Sequence, residues 1–158
     1  MQPIPPIEPD GTFDGLRPGA ILLGALVDIV FTMVASWLLI AWLAPDAFDA
    51  GESELLERIA ALNASPEYVI GAVVTGALGT LVGAFIGARS AGRLHVRHGG
   101  WIAVTSAALG ATLLLLEPAS PEPGVPFPFW AEALGWLLIL PAGIAGGALA
   151  RWRADASA

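Results

Sequence analysis

The chain contains neither cysteine nor lysine, and only 13% of its 158 residues are charged. The lack of cysteine excludes disulfides, thiol catalysis and thiolate metal sites. Soluble domains carry about 25% charged residues, so the shortage of charge indicates a membrane protein before any segment is located. The net charge of −7 argues against nucleic acid as a partner.

The sequence also lacks the motifs of the common enzyme classes. It has no phosphate-binding loop, no nucleophile elbow and no His-Glu-x-x-His motif. His95 and His98 could share one helical turn, but no carboxylate or cysteine nearby completes a set of metal ligands. We therefore expect a non-enzymatic protein that has no metal and no cofactor.

Hydrophobic residues make up 56% of the chain and gather in four stretches, each within the length of about 17–25 residues that a membrane-crossing helix needs. These stretches lie at about 20–44, 67–88, 99–117 and 129–150. The sequence thus predicts an all-α, polytopic membrane protein, with a single four-transmembrane-helix bundle over 19–153. We expect a disordered proline-rich tail at 1–18 and a short cytoplasmic tail at 154–158.

The loops between the stretches have patterns of their own. In the first loop, one face of a short helix would carry the apolar residues Leu55, Leu56, Ile59 and Leu62. This pattern predicts a short amphipathic helix on the outer surface. Ser65 and Pro66 are typical of a helix start and would open the second span. The loop at 117–129 contains five prolines and is expected to form a stiff strap.

The arginines predict the orientation of the chain. Six of the seven lie in the first tail, the loop between spans two and three, or the last tail; they are Arg17, Arg89, Arg93, Arg97, Arg151 and Arg153. Cytoplasmic loops carry an excess of basic residues. We therefore expect a multi-pass protein of the bacterial inner (plasma) membrane with both termini in the cytoplasm.

The second span repeats small residues every four positions from Gly71 onward. One row comprises Gly71, Thr75, Gly79, Gly83 and Gly87, and a second row comprises Ala72, Gly76, Thr80, Ala84 and Ala88. Residues four apart share a helix face, and in lipid small residues let a second backbone approach closely. Two rows, resembling a glycine zipper, exceed what one neighbour needs, which favours a homo-oligomer or a larger membrane complex. Gly143 and Gly147 in the fourth span form a further small-residue row that could meet the second span.

Asp28 lies about nine residues into the first span, which is roughly 13 Å deep, and Thr32 and Ser36 continue its face. An ionisable residue at such depth is a candidate functional group. It could couple transport of a proton or cation, pair with Arg89, or carry a proton and be neutral because burial disfavours the charged form.

The fourth span has two further features of possible functional importance. Glu132, near the outer end of the fourth span, is either an interfacial carboxylate or part of a polar path with Asp28. Pro141 removes a helix hydrogen bond and predicts a kink near residues 137–141.

The spacing of Arg89, Arg93 and Arg97 would align them on one face if the second span continued as a helix. Such a face would bind anionic lipid headgroups. Overall, the sequence favours an accessory or scaffold protein of the membrane, with a small transporter or channel that uses Asp28 as the alternative.

Overall fold

The computed structural model describes residues 13–49, 51–116 and 125–157, and this part of the chain is all-helical. Its five α-helices are α1 (Pro18–Leu43), α2 (Glu52–Leu62), α3 (Pro66–Ala91), α4 (His95–Leu116) and α5 (Phe129–Asp155), and a short 3-10 helix, Pro45–Asp49, follows α1. Helices α1, α3, α4 and α5 are each long and apolar enough to cross a membrane. The predicted four-helix membrane bundle is thereby confirmed.

Parts of two sequence predictions lie outside the described residues. They are residues 1–12 of the proline-rich tail and residues 117–124 of the proline-rich strap. Residues 13–17 of the same tail are described, and they pack against the start of α4, where Phe13 and Trp101 bring their ring centroids to 4.9 Å.

Local signals explain where the helices begin and end. The Ser65 hydroxyl accepts a hydrogen bond from the backbone N–H of Tyr68 at 3.3 Å, and Pro66 fills the first turn of α3, where its missing N–H costs nothing. Gly92 ends α3 with a φ of +70°, a left-handed conformation that glycine adopts without steric cost. Helix α5 continues through Pro141 as a single helix.

Helix α3 is central to the bundle, because it packs against α1, α4 and α5. Glycine contacts give the directions: Gly24 of α1 meets Gly83, whereas Leu39 further along α1 meets Gly71, so α1 and α3 are antiparallel. Helices α4 and α5 are antiparallel by the same argument. The bundle therefore has an arginine end, which holds the starts of α1 and α4 and the ends of α3 and α5, and an opposite acidic end.

Small residues dominate the interior, and most of them lie toward the arginine end. The buried positions of α3 are Val69, Gly79, Thr80, Gly83, Ala84, Gly87, Ala88 and Ala91. Ile102 of α4 is fully buried and fills the space beside Gly24 and Gly87. Large apolar side chains point outward, because lipid offers no water to drive them inside and close backbone packing holds the helices together instead.

Candidate functional site

The interface between α1 and α3 is built on backbone contact. A Cβ atom at Gly87 would lie 2.6 Å from the carbonyl oxygen of Ala20, and one at Gly71 would lie 2.8 Å from the Leu39 side chain. Gly79 and Gly83 face Asp28 in the same way. The structure thus places the four glycines of the first row against α1, while Thr75 of that row is half-buried.

Asp28 lies in this interface and is only 6% exposed. Its Oδ2 accepts a hydrogen bond from the Thr80 hydroxyl at 2.9 Å, and its Oδ1 accepts a longer one from the Thr32 hydroxyl at 3.3 Å. Glycine at 79 and 83 makes this possible, since any larger residue there would occupy the space that Asp28 and Thr32 fill. Two hydroxyls thus satisfy a carboxyl that would otherwise be buried without a partner.

A contact between Asp28 and Arg89, one of the three alternatives for Asp28, is not formed. Arg89 is exposed at the arginine end and, among the described residues, has no ion pair with Asp28. The reason is the register of the helices, which places Asp28 beside Gly79 and Gly83, more than one helical turn away from Arg89. Arg89 instead lines a surface cavity of about 380 Å³ with Trp152 and Arg153.

The remaining members of the expected polar path lie apart from this cluster. Ser36 is half-buried two turns further along α1. Glu132 is exposed in the first turn of α5, at the acidic end of the bundle. Thr80 belongs to the second row of small residues, 52 positions from Asp28, and no sequence pattern connects the two.

The glycines of α5 have different neighbours from those expected. A Cβ at Gly147 would lie 2.6 Å from the carbonyl oxygen of His95, and one at Gly143 would lie 2.6 Å from that of Gly99, so both glycines meet α4 and not the second span. Gly146 takes the place against α3, with Ala84 as its neighbour. Helix α5 lies between α3 and α4, and adjacent glycines on its surface face different partners.

The row of arginines is also different from the expectation. Because α3 ends at Ala91 and α4 starts at His95, Arg89, Arg93 and Arg97 do not lie on one continuous helix. Arg97 lines a second surface cavity, of about 370 Å³, with residues that include Arg151 and Asp155. The guanidinium of Arg93 lies beside Gly15 of the N-terminal segment.

His98 is a buried polar residue whose position only the structure reveals. It is fully buried; its Nε2 accepts a hydrogen bond from the backbone N–H of Arg17 at 2.9 Å, and its Nδ1 lies 3.1 Å from the carbonyl oxygen of Leu94. A donor faces Nε2 and an acceptor faces Nδ1, so the neutral ring with its proton on Nδ1 satisfies both. His98 therefore anchors the start of α1 to α4.

Comparison with known proteins identifies no relative. No family model, curated protein or solved structure matches the chain. Within the described residues, no group of three or more histidine, aspartate or glutamate side chains could hold a metal ion. The fold and composition define the class as a multi-pass membrane protein. Its candidate functional site is the cluster of buried Asp28 and Thr80 with half-buried Thr32.

Proposed function

We propose that this protein is a non-enzymatic accessory or scaffold protein of the membrane, which assembles with copies of itself or with a larger membrane complex. The observation that carries the proposal is a contrast between two sets of glycines. At Gly83, Gly87, Gly99, Gly143, Gly146 and Gly147, an added Cβ would collide with a neighbouring helix. At Gly76, Gly110 and Gly135, no atom of the described residues lies within 4 Å of an added Cβ.

These three glycines lie on three different helices, in the half of the bundle toward the acidic end; Gly19 and Gly100 are open as well but lie near the arginine end. The second row of α3 has the same division: Ala84 and Ala88 are fully buried, whereas Gly76 stands open. Small residues in lipid stabilise a protein when a second backbone packs on them. Some small residues are covered by a neighbouring helix and others are left uncovered. The uncovered ones support packing with a further helix from another chain.

The assembly can be tested by placing a large side chain at an open position. Gly110→Leu should leave the bundle folded but weaken self-association by about tenfold, which corresponds to about 1.4 kcal/mol. Gly100→Leu is the matched control, since it makes the same change on the same helix at another open position, near the arginine end. Native mass spectrometry and cross-linking in lipid nanodiscs measure the oligomer. A wild-type protein that stays monomeric at every concentration and co-purifies with no other membrane protein contradicts the proposal.

A second candidate function is favoured by the buried carboxyl. Ionisable residues within a membrane are costly, by about 2.5–3.5 kcal/mol on the more lenient scale, and they often mark pathways for protons or ions. Asp28 fits this description in a small transporter or channel. Proton and cation flux into proteoliposomes would measure it, and flux that Asp28→Asn leaves unchanged would remove the ground for this candidate.

For the location of the protein, we propose the bacterial inner membrane, with the arginine end in the cytoplasm. Six arginines at one end support this orientation through the positive-inside rule. Arg89, Arg93 and Arg97, although on separate elements, would still lie at the level of anionic lipid headgroups.

A further inference from the structure

The Thr80 hydroxyl has two possible hydrogen-bond acceptors, and one of them is the Asp28 carboxyl. The Thr80 hydroxyl oxygen lies 2.9 Å from Asp28 Oδ2 and 3.2 Å from the backbone carbonyl oxygen of Gly76. A hydroxyl has a single hydrogen but can accept as well as donate, so Thr80 can donate to only one of these two oxygens at a time.

Each choice corresponds to one protonation state of Asp28. When Asp28 is ionised, the Thr80 hydroxyl donates to Oδ2. When Asp28 carries a proton on Oδ2, this proton is donated to the Thr80 oxygen, and Thr80 donates its own hydrogen to the carbonyl of Gly76. The interatomic distances suit both arrangements, and no helix has to move between them.

We propose that Asp28 is a reversible proton-binding site inside the folded bundle, and that Thr80 is the positioning residue that accommodates both of its states. The reaction is a simple exchange, in which the Asp28 carboxyl releases its proton to water and takes one back. The inference deepens the second candidate function and rests on it for its physiological use, but proton binding itself can be measured without transport.

The surroundings of Asp28 contain no competing charge among the described residues. Asp28 is the only charged residue of α1, and the charged residues of α3, Glu67 and Arg89, are exposed near its two ends. On α4, the ring of His98 is held by Arg17 and Leu94 instead. Thr32 and Thr80 are thus the groups whose hydrogen bonds respond when Asp28 changes its charge.

Tight packing favours a proton over a metal cation as the ligand. A metal cation needs several oxygen ligands around a space of its own size. Here an added Cβ at Gly79 would already lie 2.8 Å from Asp28 Oδ1 and closer still to the Thr32 hydroxyl, so little free volume is present. The surface cavities of about 370 and 380 Å³ are both at the arginine end and are not lined by Asp28. A proton bound to Asp28 needs only a hydrogen-bond acceptor beside it, and the Thr80 hydroxyl provides one.

Difference infrared spectroscopy on the full chain in lipid nanodiscs tests the proposal. The carbonyl band of a protonated carboxylic acid should rise as the pH falls, and it should be lost in Asp28→Asn. In Thr80→Val this carbonyl band should move to higher frequency, because the protonated acid loses the hydroxyl oxygen to which it donates its hydrogen bond. Thr80→Ser keeps the hydroxyl and should keep the wild-type band position.

Thr75→Val is the matched control, since Thr75 is half-buried on the same helix and has no hydrogen bond to Asp28 in the structure. A carboxyl band that is constant across the pH range, or a titrating band that persists in Asp28→Asn, would overturn the inference. If Asp28→Asn does not fold, the shift in Thr80→Val against Thr75→Val decides. A titrating Asp28 without any flux would refute only the transport function.

Discussion

Gly83→Ala is the substitution that should most directly damage the bundle. Gly83 lies where α1 and α3 are in backbone contact, and a Cβ added there would lie 2.9 Å from both the backbone nitrogen and the Cβ of Asp28. The carbonyl oxygen of Gly24 would be closer still. None of these atoms belongs to the far end of a flexible side chain, so α1 and α3 would have to move apart.

The size of the effect follows from two opposing contributions. Alanine is favoured over glycine inside a helix by about 1 kcal/mol. Overpacking a well-packed site costs about 1–3 kcal/mol, and a contact with backbone atoms belongs near the upper end of this range. Relative to an alanine placed in open space on α3, we therefore expect Gly83→Ala to lower the free energy of unfolding by about 3 kcal/mol, which is roughly a hundredfold in the equilibrium constant.

Gly76→Ala provides this comparison. It makes the same chemical change on the same helix, but within the part of the chain that the structure describes nothing lies within 4 Å of the added Cβ. Reversible unfolding in mixed micelles, followed by helical circular dichroism as the fraction of denaturing detergent rises, measures both variants. Equal midpoints for the two variants would refute the argument that backbone contact at Gly83 holds α1 and α3 together.

Two further predictions concern the arginine end. His98→Phe removes the acceptor for the Arg17 N–H. Because a hydrogen bond contributes about 0.5–1.5 kcal/mol, amide hydrogen exchange over residues 13–24 should become about tenfold faster. The control His95→Phe should leave exchange in these residues unchanged. The absence of cysteine makes single-cysteine labelling free of background. A membrane-impermeant maleimide should label Ala61→Cys on intact cells but Ser157→Cys only after permeabilisation, and the reverse result would invert the proposed orientation.

Features that depend on a short stretch of chain could be predicted from the sequence. The four spans follow from composition over about 20 residues, and the start of α3 follows from Ser65 and Pro66. The arginine spacing would have aligned Arg89, Arg93 and Arg97 only if the helix had continued past the second span. Gly92 instead adopts a left-handed conformation and ends α3. A local backbone conformation therefore decides whether the periodic pattern forms a surface.

The candidate site could be predicted only in part. The depth of Asp28 in an apolar stretch already indicated a special residue, because a carboxyl there requires a partner. A pairing with Arg89 was one of three alternatives for Asp28, yet the structure provides the hydroxyl of Thr80. For His98 the sequence only argued against a metal site, and its role in holding Arg17 depends on a contact across 81 positions.

By itself, the sequence determined that the chain is a helical membrane protein, because transfer into lipid depends on the apolar content of each segment and not on its neighbours. The tertiary structure alone decided which helix each small residue faces. Glycine and alanine recur on all four spans, so many helix pairings satisfy the pattern equally well. The choice among them depends on how the backbones fit together, as the different neighbours of Gly146 and Gly147 demonstrate.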